Sequence, residues 1–282
     1  MKTKESFFAV DLGATSGRTI VGTLADGKIQ LEEITRFGNP LINMGGYFYW
    51  DLFALYNEII KGLKAVATRG IAISSIGIDT WGCDFVCIGD DGQPLRNPLA
   101  YRDPHTVGMM EQYFAAKLPR AEVYRRTGIQ LMNFNSLFQL YTMGESANSA
   151  LKNAKKILFM PDALSYLLTG TAVCEYTVAS TSEMLNPATG DLDETLLASV
   201  GLRRDQFGTL THPGTVIGTI IMVLCSALAG YIFTKREMWH RSFWYRFVVL
   251  TMYLNAGIIP WYLNMSMLGL TNNFLAYILP CI

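Results

Sequence analysis

The chain of 282 residues carries 23 basic and 23 acidic residues, so it is neutral overall and long enough for one large or two ordinary domains. The charge is uneven, because only five charged residues follow residue 215: Lys235, Arg236, Glu237, Arg241 and Arg246. The first part therefore has the composition of a mildly acidic soluble domain, and the rest that of a membrane segment. Neither part has the basic stripe that nucleic-acid binding requires.

The N-terminal residues predict three strands followed by a helix. FFAVDLG and TIVGTLADGKIQLEEITRF read as strands, and the Asp-Gly pair at residues 26–27 predicts a tight hairpin. Residues 50–70 have apolar positions at helical spacing and a closing glycine. Strands joined by hairpins, rather than by a helix, argue against a Rossmann domain.

The middle of the chain predicts two more strands and then mainly helices. SSIGIDTWGCDFVCIGDDGQPL indicates a strand, a turn and a strand, with a second Asp-Gly turn at residues 91–92. Residues 106–170 indicate helices, the last of which closes on Gly170. NPATGDLDETLLASVGL predicts a turn followed by a helix. The five scattered cysteines favour free thiols over a zinc site.

The stretch VDLGATSGR, residues 10–18, is the first with recognisable chemistry. Glycines and hydroxyls after a strand let backbone and side-chain donors approach a phosphate. The candidate phosphate-binding residues are Gly13, Ala14, Thr15, Ser16, Gly17 and Arg18. Asp11, at the strand end, is a candidate for holding Mg²⁺ through water. A purely structural glycine-rich hairpin is the alternative, because the stretch has no Walker lysine and no helix follows it.

A second polar cluster lies in GIDTWGCDF, residues 77–85. Carboxylates such as Asp84 suit sugar hydroxyls, and an aromatic ring such as Trp81 suits the apolar edge of a sugar. The alternatives are that Trp81 belongs to the core and that Arg102 and Asp103 of the AYRD segment form a structural ion pair. His105, after YRDP, is interpreted as a surface histidine with no catalytic role.

Eight phrases in chain order resemble the FGGY carbohydrate kinases: AVDLGATSGR, GYFYWD, SIGIDTWGCDF, AYRD, GIQLMNFNSLFQL, MPDALSYLLTG, EYTVASTSEMLN and HPGTVIG. The resemblance covers residues 1–218 and implies an α/β, ribonuclease H-like N-terminal lobe of the sugar kinase, Hsp70 and actin architecture. It also implies a cytoplasmic kinase that uses ATP and Mg²⁺. Within the family, the resemblance is to members that phosphorylate L-rhamnulose at its 1-hydroxyl, and a related kinase for another ketose or polyol is the alternative.

The resemblance also implies a sugar site. It places Gly82 and Asp84 on the family's sugar-contact turn, and Arg102 and Asp103 resemble the Arg/Asp element that lines the family's sugar cleft. Trp81 is a candidate because of its aromatic ring alone. The family's catalytic aspartate follows HPGTVIG in a phrase like His-Asp-Thr-Ala, and the adenosine glycines lie in the same second lobe. This sequence contains neither, so no catalytic residue is assigned, and the chain alone is expected to be inactive.

Residues 219–282 resemble a different family, the permease subunits of ABC sugar importers. Residues 216–233 and 247–263 are apolar enough for membrane spans, and the basic loop between them predicts a cytoplasmic position. The loop that docks the ABC ATPase is not present. We interpret the chain as a chimera whose two parts meet near residues 218–221, with a membrane-associated second part. A buried hydrophobic hairpin in a soluble domain is the alternative.

Overall fold

The computed structural model describes residues 5–218. The chain separates into two units, residues 1–217 and residues 218–282. The helical hairpin and membrane spans expected over residues 219–282 lie outside the described residues, so they stay predictions. None of the helices between residues 5 and 218 has the length and apolar character that a bilayer crossing requires.

The chain begins with three strands, β1 (Glu5–Leu12), β2 (Ser16–Ala25) and β3 (Lys28–Gly38). They form an antiparallel meander, as the sequence predicts. Asp26 and Gly27 connect β2 to β3 with φ values of 53° and 74°. Positive φ at both central positions is what a tight two-residue hairpin turn needs, and glycine and aspartate tolerate it.

Two short strands and a helix lead back to the sheet: β4 (Ile42–Met44), β5 (Tyr47–Tyr49) and α1 (Leu52–Thr68). The Asp51 carboxylate accepts from the Ala54 N–H at 3.0 Å and so caps the start of α1. One face of the helix is buried, namely Leu52, Leu55, Ile59, Gly62 and Val66. Strand β6 (Ser75–Asp79) then pairs parallel with β1, which completes a mixed sheet of order β3-β2-β1-β6.

The second half of the described chain is mainly helical. Its first elements are β7 (Phe85–Ile88), a 3₁₀ turn (Pro104–Thr106), α2 (Met109–Ala116), α3 (Arg120–Thr127), α4 (Ser136–Glu145), α5 (Ser149–Lys152), β8 (Lys156–Phe159) and α6 (Met160–Thr169). The helices expected over residues 106–170 are confirmed, and α6 ends at Gly170, whose φ is 72°. Strand β8, which pairs antiparallel with β7, was not expected.

The last described elements are short: β9 (Val173–Glu175), α7 (Tyr176–Ser180), β10 (Leu185–Asn186), β11 (Asp191–Leu192), α8 (Glu194–Ser199), a second 3₁₀ turn (Arg204–Gln206) and β12 (Thr209–Thr211). β10 and β11 pair antiparallel on either side of the turn that the sequence predicts before α8. β12 pairs parallel with β9. The apolar core of this half centres on Tyr113, whose ring meets those of Phe138 and Tyr141 edge-on at 5.5 and 5.4 Å. This packed layer supports the polar residues described next.

Candidate functional site

The polar side chains of the predicted phosphate loop lie at one end of the main sheet. In the strand register Asp11 stands opposite Arg18 on β2 and opposite Asp79 on β6. The Nε and Nη2 atoms of Arg18 lie 2.7 and 2.6 Å from the same oxygen, Asp11 Oδ2. Both side chains keep about two fifths of their surface exposed, 44% for Arg18 and 42% for Asp11. The pair therefore faces solvent at the end of the sheet.

The loop between β1 and β2 is a tight turn supported by Asn39. The Gly13 N–H donates to the Ser16 carbonyl at 2.9 Å. The Asn39 side-chain amide donates to the Gly13 carbonyl and its backbone N–H to the Thr15 carbonyl, both at 2.9 Å. Thr15 and Ser16 are exposed at the tip. The turn thus presents hydroxyls outward, while the Gly13 N–H is used internally.

Gly17 is glycine for a packing reason. A Cβ atom at this position would overlap the ring of Phe37 and the side chain of Leu12. The residue is buried, whereas the sequence argument placed it in the loop to let a phosphate approach. Glycine is therefore needed at position 17 because β2 packs closely against the Phe37 ring on β3 there.

Asp84 is fully buried and bound on both oxygens. Its Oδ2 accepts from Trp50 Nε1 at 2.6 Å, from Trp81 Nε1 at 2.9 Å and from the Tyr101 N–H at 3.1 Å. Its Oδ1 accepts from Gln139 Nε2 at 2.8 Å. Burial raises the pKa of Asp84 to about 6, although these hydrogen bonds act to lower it. The carboxylate therefore holds the surrounding chain together, and its expected contact with the sugar stays a prediction.

An aromatic cluster surrounds this carboxylate. Trp81 lies against Trp50 with ring centroids 4.2 Å apart, and Tyr101 lies 6.2 Å from Trp50 and 5.7 Å from Phe134. Trp50 is fully buried, whereas Trp81 and Tyr101 are half-buried. Trp81 therefore packs partly in the core and keeps part of its ring exposed. This position agrees in part with both interpretations of the sequence, a core residue and a ring that faces the sugar.

The turn of residues 81–84, called here the 81–84 turn, rests on Thr181. A Cβ at Gly82 would lie 2.7 Å from Thr181 Oγ1, so this close approach requires glycine. The Cys83 N–H donates to Thr181 Oγ1 at 3.2 Å. Cys83 has a φ of 73°, an unusual value for a residue with a side chain. Burial raises the pKa of its thiol to about 12, so the thiol is protonated at neutral pH.

Arg102 and Asp103 do not form the ion pair that was the alternative reading. Arg102 is exposed, and its Nε lies 3.3 Å from the Tyr101 hydroxyl. The buried Asp103 accepts instead from the Phe48 N–H at 2.6 Å and from the backbone N–H of His105 at 2.8 Å. Asp103 thus fixes the loop from which Arg102 extends.

His105 differs from the surface histidine that the sequence indicated. Its side chain is only 5% exposed, and its Nδ1 lies 3.0 Å from Asp103 Oδ1. Within the described residues its Nε2 is buried and has no hydrogen-bond partner. Burial, more than any other effect, lowers the pKa of His105, so the imidazole is neutral at pH 7.

Sequence reasoning missed several residues that shape the 81–84 turn. Ser136 Oγ donates to the Cys83 carbonyl at 2.5 Å, and Gln139 Nε2 bonds the Cys83 and Phe134 carbonyls as well as Asp84. Both are buried polar residues on helix α4, whose other buried residues are mainly apolar. A glutamine within the apolar run SLFQLY was the available signal, because a buried amide needs partners.

Comparison with known proteins identifies the family. Residues 7–230 match the FGGY family of carbohydrate kinases, N-terminal domain. The chain belongs to the FGGY carbohydrate kinase family. This match extends past residue 218, the boundary expected from sequence, so the position of that boundary stays a prediction.

The curated relatives of this FGGY chain include rhamnulokinases. The rhamnulokinase of Bacteroides thetaiotaomicron is 60% identical over 217 residues, which cover 77% of the chain and 44% of that protein. The rhamnulokinase of Bacillus subtilis is 41% identical over 217 residues, covering 76% of the chain and 43% of that protein. The chain thus spans less than half the length of the curated relatives it matches.

Solved structures confirm the fold of this FGGY chain. A xylulose kinase from Lactobacillus acidophilus superposes with a TM-score of 0.69 at 21% identity, covering 82% of this chain and 49% of that one. A glycerol kinase from Plasmodium falciparum superposes with a TM-score of 0.64 at 18% identity, covering 79% and 46%. The expected ribonuclease H-like α/β fold of sugar kinases is confirmed for the N-terminal part.

Proposed function

We propose that this FGGY chain contains the N-terminal lobe of an ATP-dependent kinase that phosphorylates L-rhamnulose at its 1-hydroxyl. The observation that carries the proposal is the 60% identity, over 217 residues, to a rhamnulokinase. The lobe would act in the cytoplasm on a small sugar and a nucleotide. Reactions of this class depend on positioning and on charge stabilisation rather than on covalent chemistry.

The end of the sheet supplies groups for the phosphate side. The exposed hydroxyls of Thr15 and Ser16 and the Arg18 guanidinium are donors suited to phosphate oxygens. Arg18 Nε and Nη2 both lie against Oδ2 of Asp11, so we assign Oδ1 to a hydrated Mg²⁺. Bound Mg²⁺ would neutralise charge on the transferring phosphate. We assign this side to Asp11 and to residues 13–18.

The 81–84 turn and the Arg102 loop supply the sugar side. Trp81 offers a half-buried aromatic face, and Arg102 extends from the loop that Asp103 fixes. Gly82 lets the turn pack closely against Thr181. Asp84 positions Trp81 and the Tyr101 backbone through hydrogen bonds, so we assign it a positioning role beside the direct contacts of Gly82, Trp81 and Arg102.

The proposal places the general base outside this lobe. Asp84 is buried and takes four donors, and Asp11 is paired with Arg18, so neither carboxylate is free to accept a proton from a sugar hydroxyl. The rhamnulokinases that match extend well beyond the matched region. The chain alone is therefore expected to bind its ligands weakly and to turn over poorly.

Ligand binding to the full chain tests the sugar assignment. Isothermal titration with L-rhamnulose, D-xylulose, D-gluconate and glycerol, each with and without Mg·ATP, should give the tightest binding for L-rhamnulose. In Arg18→Ala the binding of Mg·ATP should weaken at least tenfold while that of L-rhamnulose is retained. Preference for another sugar would move the assignment to a different ketose or polyol kinase.

We also propose that residues 219–282 derive from an ABC sugar-importer permease and that the chain is a chimera. The sequence pattern alone supports this, through the uncharged residues 216–233 and the basic loop after them. Sequencing the gene across codons 210–225 in the source genome tests the junction. Fractionation of expressing cells tests the membrane assignment, and a detergent-free monodisperse monomer would favour a buried hydrophobic hairpin.

A further inference from the structure

Glu183 is a buried acid for which the proposed chemistry has no use. It lies in the segment between α7 and β10 and has no exposed surface. Thr127 Oγ1 lies 3.0 Å from its Oε2, and Asn135 Nδ2 lies 3.3 Å from its Oε1. Within residues 5–218 no basic side chain forms an ion pair with it. A carboxylate buried with neutral partners alone is costly, so its protonation state matters.

Counting protons indicates that Glu183 is protonated. The Thr127 hydroxyl lies 3.1 Å from the Val123 carbonyl as well as 3.0 Å from Glu183 Oε2. A hydroxyl carries one hydrogen, and a carbonyl only accepts. A hydroxyl hydrogen shared between the two oxygens would leave Glu183 as a buried charge without a cationic partner, so the favoured arrangement has the hydroxyl donating to Val123 and Glu183 donating to the hydroxyl. Burial independently raises the pKa of Glu183 to about 7.

Asn135 connects Glu183 to the 81–84 turn. Its amide nitrogen donates to Glu183 Oε1, and its amide oxygen lies 3.6 Å from the Cys83 sulfur, whose single thiol hydrogen it shares with the Thr181 carbonyl at 3.7 Å. Asn135 also donates to the Gln130 carbonyl at 3.1 Å, so the amide is held at both ends. A contiguous chain of hydrogen bonds therefore runs from Thr127 through Glu183 and Asn135 to Cys83.

Two members of this chain of hydrogen bonds have strained backbones. Cys83 and Glu183 have φ values of 73° and 61°, which residues with a side chain adopt only at a cost in free energy. Such conformations persist when surrounding contacts determine them. The contacts that do so here are the buried bonds of Glu183, Asn135 and Thr181, so loss of one of them should release the turn.

We propose that protonated Glu183 is a positioning residue for the 81–84 turn. As a neutral acid it accepts from Asn135 and donates to Thr127, and Asn135 in turn holds Cys83. Ionisation removes the proton given to Thr127 and places an unpaired charge beneath the turn, which loosens Cys83 and, with it, Trp81. The role in sugar binding rests on the proposed function of this turn, whereas the coupling itself does not.

The other ionisable groups around Glu183 do not titrate near neutral pH. On the turn, burial raises the pKa of the Cys83 thiol to about 12, and on α2 burial raises the pKa of the Tyr113 hydroxyl. On α3, Arg126 pairs with Asp193 at 3.0 Å, so both stay charged. The exception is Asp84, a member of the turn itself, whose pKa of about 6 lies near neutral and must be separated experimentally.

The indole N–H signal of Trp81 provides a local readout in the full chain. The chain has five tryptophans, and Trp81→Phe assigns the resonance by its loss from a ¹H–¹⁵N spectrum. The wild-type signal should shift with a midpoint near pH 7. Glu183→Gln copies the neutral acid, since its amide donates to Thr127 and its oxygen accepts from Asn135. That variant should lose the step near pH 7 and keep only the step near pH 6 from Asp84, which accepts from the Trp81 indole N–H. Asp84→Asn, which replaces that acceptor, should remove the step near pH 6 and leave the step near pH 7 in place.

Two outcomes would overturn the proposal: an unchanged midpoint near pH 7 in Glu183→Gln, or loss of that midpoint in Asp84→Asn alone. If Glu183→Gln does not fold, Thr127→Val serves instead. It removes the acceptor of the acid's proton, so the midpoint should move to lower pH, and an unmoved midpoint would contradict the proposal. Adding L-rhamnulose separates the two claims, because a signal that titrates with pH but ignores the sugar would contradict the proposed function alone.

Discussion

At the scale of single residues, the candidate sugar site depends on carboxylates that are buried rather than presented. Sequence reasoning singled out Asp84 because carboxylates suit sugar hydroxyls and because the family resemblance places it on the sugar-contact turn. It could not foresee four donors from four separate places in the sequence. Those donors come together only in the folded chain, since Trp50, Tyr101 and Gln139 are distant from Asp84 in sequence. A buried acid with satisfied oxygens organises its neighbours instead of binding a ligand.

Replacing Asp84 should therefore destabilise the fold. In Asp84→Asn one oxygen becomes an N–H₂ group and faces a donor, so we expect a loss of about 1–3 kcal/mol in the free energy of unfolding at pH 7. Urea unfolding followed by circular dichroism measures it. Asp90→Asn is the control, because Asp90 is 88% exposed and its change should stay within about 0.5 kcal/mol. Equal losses in the two variants would contradict the buried role of Asp84.

At the scale of elements, short-range sequence signals predicted the turns and helix ends. They did not predict the pairing of strands that are distant in sequence. The Asp-Gly hairpin, the capped helix α1 and the glycine end of α6 follow from neighbouring residues, and all three are present. The pairing of β7 with β8 joins segments about 70 residues apart, from Phe85 to Phe159, and no local pattern encodes it. Gly62 was likewise not singled out, although it allows α1 to approach Thr19 on the sheet.

Two helical glycines should respond oppositely to substitution by alanine. A Cβ at Gly62 would lie 2.5 Å from Thr19 Oγ1, so Gly62→Ala should push α1 from the sheet and cost about 1–3 kcal/mol in the free energy of unfolding. A Cβ at Gly144 of α4 meets nothing within 4 Å, so Gly144→Ala should gain about 0.5–1 kcal/mol. Urea unfolding of both variants measures these changes in the free energy of unfolding. A stabilising Gly62→Ala would contradict the close packing of α1.

At the scale of the whole molecule, three buried acids lower stability as the pH rises, and they outnumber the buried His105, whose lowered pKa acts in the opposite direction below pH 6.5. Burial is the main cause that raises the pKa of Asp84 to about 6 and those of Asp162 and Glu183 to about 7. Each group binds its proton more tightly when folded than when unfolded. Its stabilising contribution is complete below its unfolded pKa, near 4, and is lost as the pH rises through its folded pKa.

The described domain should therefore melt at a higher temperature near pH 5 than near pH 8. Thermal unfolding of the full chain, followed by circular dichroism across this range, measures the difference. Glu183→Gln should reduce the fall between pH 5 and 8, because the amide does not ionise. Exposed acids such as Glu122, whose hydrogen bond to Arg125 is the main cause that lowers its pKa to about 2, act only at lower pH. A melting temperature that rises from pH 5 to pH 8 would contradict the assignment of these buried acids.

The central claim is that residues 5–218 form a working kinase lobe, and an ADP-release assay on a hybrid tests it most directly. The hybrid joins residues 1–218 to the remainder of the Bacteroides thetaiotaomicron rhamnulokinase, which is 60% identical where it matches. With Mg·ATP and L-rhamnulose the account predicts turnover approaching ~10 s⁻¹ for the hybrid. It predicts at least a hundredfold loss in hybrid Asp11→Ala and more than tenfold slower turnover for the chain alone. A folded but inactive hybrid, or a chain that alone matches the hybrid, would contradict the account.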